Sequence, residues 1–366
     1  MNILALNSGS SSLKFGVYRV DSAGVQRLCG ETVASADAPD PVGHVVSALA
    51  ASGMPPLSAI GHRIVHGGPA LRQHCRIDDA VLRQLQAAAA FAPLHTPAAL
   101  AVIRFAQTHF PGVPQVACFD TQFHAGMPDV ARVLPIAKEL QSQGIQRYGF
   151  HGLSLESIVR QLGASVPERM VIAHLGNGAS VSALKAGQSI DTSMGLTPSG
   201  GVIMGTRSGE LDPGVLVYLL REKKWDAARV GALVDQKSGL LGISGVSSDM
   251  RRLHEVAAAN PDARLAITMF CTSVRKHIAA MVSVLDGLDM LVFTGGIGEN
   301  DAQVRAEICN GLSWMGVTLD APRNGTAHKA SPSAGAIHDG ASRCKVHVLA
   351  SQEDEQIARH ASALLA

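Results

Sequence analysis

Short apolar runs that end in turns of small polar residues recur along the chain. The first, Met1-Asn2-Ile3-Leu4-Ala5-Leu6, turns through Asn7-Ser8-Gly9-Ser10-Ser11-Ser12 and resumes as Leu13-Lys14-Phe15-Gly16-Val17-Tyr18. Met1 to about Val20 therefore reads as a β-hairpin. Met170–Leu175 turns through Gly176-Asn177-Gly178 into a second strand, Ala179–Leu184, and Met290–Phe293 ends in Gly295-Gly296-Ile297-Gly298-Glu299-Asn300. Three more strands are predicted: Ile60–Val65, ending at His66-Gly67-Gly68; Gln115–Phe119, delivering Asp120; and Lys345–Ala350, ending just before Glu353. Helices are predicted over Asp78–Ala90, where Asp78 can cap and Val81, Leu82 and Leu85 recur at helical spacing, and over Pro97–Gln107. Others fall near Val42–Ala51, Leu153–Leu162, Gly214–Lys223, Asp262–Leu285 and Asp301–Gly311, with a last one after Glu353. Asp21–Leu57 otherwise shows little sustained periodicity. Alternating strands and helices predict an α/β protein. The pattern restarts near Gly144–His151, giving two domains, 1–147 with 354–366 and 148–353, because chain ends commonly lie close together.

Composition narrows the classes. With 46% hydrophobic residues among 366, there is ample material for two packed cores. The formal charge is only +1 and 4% of residues are aromatic, which gives no bulk case for nucleic acid or an anionic membrane. The first apolar run is too short for a signal peptide, and no apolar stretch is expected to approach the roughly 20 residues of a membrane helix. The cysteines (Cys29, Cys75, Cys118, Cys271, Cys309, Cys344) form no C-x-x-C pair. They read as reduced thiols of a soluble, cytoplasmic protein.

An anion site must therefore be local. The three strand-to-turn sites expose backbone N–H groups, with Ser10 and Ser12 adding hydroxyls and Lys14 a compact cation to the first, as a polyphosphate requires. Three such sites suggest a nucleotide held between two related halves. Arg63, on a strand leading into Gly67-Gly68, suits bidentate recognition of a carboxylate, or else a structural salt bridge. His62 and His66 lack the helical context of a metal pair. Asp120, at the end of a strand, is placed as a working carboxylate or as a helix cap. His151, bracketed by Gly149 and Gly152, is either a projecting group or a satisfied core histidine. Asp191–Pro213 is a long glycine-rich passage centred on Arg207, and long ordered loops are usually functional. No P-loop and no Rossmann fingerprint is present.

Together these passages closely resemble the acetate kinase family with its propionate- and butyrate-kinase relatives, from Asn7–Lys14 through Gly61–Gly68, Phe119–Thr121, Tyr148–Gly152, Ala173–Ser180, Asp191–Pro213, Ser238–Gly245 and Phe293–Asn300 to Glu353–Arg359. The resemblance implies the two-domain α/β fold of the acetate and sugar kinase/Hsc70/actin (ribonuclease H-like) class. That means a mixed five-stranded sheet in each domain, a nucleotide cleft between domains, and a homodimer. It implies reversible, Mg2+-dependent, in-line transfer of the ATP γ-phosphoryl group to acetate, giving acetyl phosphate and ADP, with Mn2+ as a substitute cation. Asn7 and Glu353 then correspond to the metal site and Lys14 to a phosphate contact. His174, Leu175, Gly176, Asn177 and Gly178 correspond to nucleotide-binding segments, as do Asp249, Met250 and Arg251 and Gly296, Ile297, Gly298, Glu299 and Asn300. Arg63 matches the substrate-carboxylate arginine, and Asp120, His151 and Arg207 the catalytic groups. Val65, Leu94, Phe150 and Pro198 match the acyl pocket. Leu153-Ser154-Leu155, Thr96 and Met250 depart from the common pattern. Propionate is the alternative acceptor. A non-catalytic actin-like ATP-binding protein would need the nucleotide turns, but not Arg63, Asp120 and Arg207 together.

Overall fold

The computed structural model describes residues 1–9, 12–34, 41–51, 56–327 and 335–366. In chain order the elements are β1 (Asn2–Ser8), β2 (Ser12–Asp21), β3 (Gly24–Ala34), α1 (Pro41–Ala51), β4 (Ala59–Ile64), β5 (Cys75–Arg76), α2 (Asp79–Ala87) and α3 (Thr96–His109). Next come β6 (Gln115–Phe119), α4 (Asp129–Arg132), α5 (Lys138–Gln141), α6 (Gly152–Leu162), β7 (Arg169–Leu175), β8 (Ala179–Lys185) and β9 (Gln188–Thr192). Helices α7 (Pro213–Arg221), α8 (Ala227–Gln236), α9 (Gly239–Ser244), α10 (Met250–Val256) and α11 (Pro261–Val284) follow. The chain closes with β10 (Met290–Thr294), α12 (Gly295–Asn300), α13 (Ala302–Asn310), α14 (Ala321–Gly325), β11 (Lys345–Val348) and α15 (Glu353–Ala363).

Two units result. The first comprises Met1–Ala125, Phe150–Ser157 and Gln352–Ala366; the second Gly126–Gly149 and Ile158–Ser351. The division is finer than the sequence suggested, and hydrogen bonds explain it. The Arg147 guanidinium donates to the carbonyls of Ala131 (2.9 Å) and Thr192 (2.8 Å), and the Tyr148 N–H to that of Gly195 (3.0 Å), so 126–149 belongs with β9. The Gly152 N–H instead donates to the Asp120 carbonyl (2.9 Å), and His124 Nε2 to that of Phe150 (3.0 Å), which ties the start of α6 to the first unit.

Sheet order in the first unit is β3-β2-β1-β4-β6-β5, and in the second β11-β10-β7-β8-β9. Each contains an antiparallel three-strand meander (β1-β2-β3, β7-β8-β9) whose first strand pairs in parallel with a later one. The halves thus repeat one topology. The first sheet has six strands, not five, because two-residue β5 pairs onto β6.

Alternate residues of β1 serve two cores, which is why its sequence is a continuous apolar run. Leu4 and Leu6 pack with Phe15, Val45, Ile60 and Val102 under α1 and α3, while Ile3 and Ala5 pack with Val116, Leu153, Ile357 and Ala361 under α15. Asp78 caps α2 as expected, accepting the Val81 N–H at 2.8 Å. Strand β3 was missed because its pairing with β2 slips at Val17/Tyr18, so the period-2 pattern breaks at Leu28.

Helix α11 corrects one expectation: by length and composition it is a candidate membrane span. Its residues Ala263, Ala266, Ile267, Phe270, Val274, Ile278 and Met281 nevertheless form a buried stripe in the second unit. Apolar core helices pass the same length test.

Gly61 sits in β4 directly beneath α15. A Cβ built there would lie 2.5 Å from Ile357 Cγ2. Gly61→Val should therefore lift α15 from the sheet and destabilise the protein by about 1–3 kcal/mol, measured by urea unfolding. An unchanged midpoint would mean that α15 can shift without cost.

Candidate active site

The C-terminal ends of the parallel strands β1, β4 and β6 carry Asn7, Arg63 and Asp120, the end of a parallel sheet where α/β proteins place working groups. Asp120 is fully buried. Its Oδ2 accepts from Arg63 Nε (2.9 Å) and Nη2 (2.6 Å), while Oδ1 has no hydrogen-bond partner. Arg63 Nη1 donates to Asn7 Oδ1 at 3.2 Å. The Asn7 amide in turn donates to Glu353 Oε2 (3.0 Å) and Asp354 Oδ1 (2.8 Å), both in the first turn of α15. Carboxylates are favoured at that helix end by the backbone dipole. One connected network thus runs from Asp120 through Arg63 and Asn7 to two acids.

Burial pushes the Asp120 carboxyl up to about 6, although Arg63 pulls the other way. Burial disfavours the Arg63 cation, but Asp120, Glu353 and Asp354 together outweigh it and hold the guanidinium charged. The Asp354 carboxyl is raised, chiefly by burial. Sequence reading missed Asp354; its only signal was adjacency to Glu353 in an acidic run.

His151 is buried and takes a left-handed backbone (φ 61°), a conformation costing a non-glycine residue roughly 1–3 kcal/mol. Gly152 must be glycine, since a Cβ would fall 2.3 Å from the Asp120 carbonyl oxygen. Val65 and Phe150 are buried, and the His66 ring lies 5.4 Å from that of Phe150; Leu94 is exposed. His62 bonds Gln115 (2.7 Å) and His66 Nδ1 accepts the Gly68 N–H (2.8 Å). Lys14 faces Asn7 across the β1–β2 pair, and Ser12 begins β2. Ser10 lies outside the described residues.

The second unit gathers the other candidates. β7 and β10 are parallel neighbours, with His174 opposite Thr294, so Gly176–Gly178 and the turn after β10 emerge side by side. That turn is wound into a short helix, α12. The Gly205 N–H donates to the Asn177 carbonyl (3.0 Å), and Arg207, buried, donates to the Pro198 carbonyl (3.2 Å) from Nη1. Pro198 is also buried. Asp249 caps α10 and is clasped by exposed Arg251, whose hydrogen bond holds its carboxyl below the usual range, while Met250 points into the core. Glu299 Oε1 accepts from the Gly295 and Ser351 N–H groups, both at 3.0 Å, and Asn300 Nδ2 bonds the Gly296 carbonyl. Those two side chains therefore brace the turn. Buried Arg305, which no sequence signal marked, fixes the Gly298 carbonyl (2.9 Å) and Asn324.

A family model described as the Acetokinase family matches residues 29–359. The chain belongs to the acetokinase family. It is 40% identical to an acetate kinase of Brachyspira hyodysenteriae over 98% of both chains, and 39% identical to one of Nitrobacter hamburgensis over 100% of this chain and 96% of that one. Among solved structures it matches a propionate kinase from Francisella tularensis with a TM-score of 0.89 and 35% identity over 99% of both chains. It also matches a Porphyromonas gingivalis acetate kinase at 0.85 and 32%, covering 100% of both. The fold expected from the resemblance is thus this family's fold. Membership makes the protein a kinase, a phosphotransferase that uses ATP or ADP.

The raised Asp120 carboxyl has a consequence for pH. Its folded value of about 6 lies above the roughly 3.9 of an unfolded chain. Through this group, lowering the pH from 6 towards 4 stabilises the fold while removing the carboxylate that grips Arg63. The expected result is reversible loss of turnover with an apparent pKa of about 6 and an unchanged circular dichroism spectrum. Full activity well below pH 5 would contradict a working role for ionised Asp120.

Proposed function

We propose that this protein catalyses reversible, Mg2+-dependent transfer of the ATP γ-phosphoryl group to acetate, in line, giving acetyl phosphate and ADP. The observation that carries the reading is the buried Asp120–Arg63–Asn7 network beside Glu353 and Asp354, in a chain of the acetokinase family. Acetate is already ionised at neutral pH, a carboxylic acid having a pKa near about 4, so no general base is required. Asp120 then serves to orient Arg63, which receives the acceptor carboxylate. Val65, Leu94, Phe150 and Pro198 are read as the residues that recognise the acyl group.

The harder task is bringing an anion up to a polyphosphate. Arg207, His151 and Lys14 are read as the groups that offset this repulsion and stabilise the transferring phosphoryl oxygens. Ser10 and Ser12 are read as phosphate-hairpin donors. His174–Gly178, Asp249–Arg251 and Gly296–Asn300 are assigned to the nucleotide. Asn7, Glu353 and Asp354 form an oxygen-rich set that suits a hard divalent cation, Mg2+ or Mn2+. When bound, that cation would neutralise phosphate charge.

A homodimer is part of the reading. Neither α7 nor α8 buries a single residue fully, and Val215, Val217, Tyr218 and Leu220 are exposed on α7. A second copy would cover this exposed apolar surface. With all six cysteines present as free thiols, a cytoplasmic setting fits as well.

The deciding assay compares kcat/KM for acetate, propionate and butyrate. Acetate should lead, and a preference for propionate would instead favour the activity named for the Francisella relative. Val65→Ala should shift selectivity towards propionate by about 1–3 kcal/mol, the worth of one methylene in an apolar pocket. Arg207→Ala should fold yet lose about 10³-fold in kcat, and wild-type turnover would remove Arg207 from the mechanism. Sedimentation should give a dimer for the wild type and a monomer for Val217→Glu; a monomeric wild type would end the assembly proposal.

A further inference from the structure

We propose that His74, Glu156 and His360 form a latch that holds β6, α6 and α15 together and so positions Asp120, His151 and Glu353. The inference rests on the reading of those three as working groups. All of the latch contacts lie within the first unit.

Glu156 and His360 come from elements that carry the site, and His74 directly precedes β5, which pairs onto β6. Glu156 lies one turn into α6, which begins directly after His151, and His360 lies two turns into α15, which begins at Glu353. His360 Nε2 bonds Glu156 Oε2 at 2.7 Å, and Gln356 Nε2 lies 3.1 Å from the same ring nitrogen. The His74 ring packs on that of His360, with centroids 4.0 Å apart. His74 also grips the chain on both sides of Asp120: its Nδ1 accepts the N–H of Phe119, the last residue of β6, at 3.0 Å, and its own N–H donates to the Gln122 side chain. A further bond, from the Gln352 N–H to Ser157 Oγ (3.1 Å), joins α15 to α6.

Ligand-capable atoms of the three residues lie within 4.8 Å of one another, a grouping that could suggest a metal. The hydrogen bonding argues otherwise. A ring whose Nδ1 accepts a backbone N–H carries its proton on Nε2 when neutral, and so has no lone pair there for a cation. Burial, with His360 beside it, pushes His74 down to about 3, which keeps the ring neutral. Its Nε2 is buried and has no hydrogen-bond partner. The ring is thus held as a spacer with one fixed tautomer. Glu156 and His360, each partly exposed, supply the polar clasp.

Steady-state kinetics and hydrogen exchange on the full-length protein test the latch. Misplacing catalytic groups by about 1 Å can cost about 10²-fold, so Glu156→Ala should lose about 10- to 100-fold in kcat per folded molecule. The ATP KM should change less than kcat, because the glycine-rich segments assigned to the nucleotide belong to the other unit. Glu156→Gln keeps an acceptor for His360 and should recover most of the rate. Amide exchange in the first turns of α6 and α15 should quicken in the alanine variant and not in the glutamine one. His360→Phe, which preserves packing on His74, supplies the same comparison should Glu156→Ala fail to fold. Unchanged kcat overturns the positioning role, even with faster exchange. Zn2+ alone binding to the wild type and lost in His360→Phe would overturn it too, making the cluster a metal site. A wild type inactive towards acetate would sink the functional reading instead, and the exchange comparison would still decide whether the latch exists.

Discussion

A carboxylate with no solvent access survives in a folded protein only where a cation and hydrogen bonds compensate for its lost hydration. Asp120 meets that condition through one oxygen, which takes two N–H groups of Arg63. Removing one partner of such a buried pair typically costs about 3–5 kcal/mol, because a charge is left uncompensated. Much of the first unit is arranged around this pair. Parallel pairing of β4 with β6 sets Arg63 opposite Cys118, two residues before Asp120. The turn into α6 docks through Gly152 on the Asp120 carbonyl, and Asn7 links the guanidinium to the acids of α15. A chain segment from the extreme C-terminus thereby becomes part of a network that starts at residue 7.

The second unit repeats the strand order but not this chemistry. Its glycine-rich turns are braced by side chains bonded mainly to backbone: Glu299 accepts from two N–H groups, Arg305 donates to two carbonyls and an amide oxygen, and Arg207 donates to the Pro198 carbonyl. One topology thus supports a charge-paired site in one half and backbone-lined turns in the other.

Much of this was legible in the chain because the signals were local. Apolar runs closing on glycine marked β1, β7 and β10, and Asp78 and the prolines near helix starts marked α2 and α3. What escaped depended on partners distant in sequence. The bulge that hides β3 exists only in its pairing with β2. Residues 126–149 joined the second unit through Arg147, whose acceptors are 16 and 45 residues away. Arg305 reads as an ordinary helix surface residue until Asn324 is folded over it. Arg63 and Asp120 could be singled out by type and position, but that they pair with each other could not, since they are 57 residues apart. The guanidinium is engaged with Asp120 and Asn7 already.

That engagement fixes a donor count. A guanidinium offers five N–H hydrogens. Three are committed here, two to Asp120 and one to Asn7. The remaining two, one on each terminal nitrogen, equal the oxygens of a single carboxylate and leave none for a second anion. Under the proposed function, that pair of hydrogens is all that Arg63 itself has left for an acceptor carboxylate, whatever the size of the pocket.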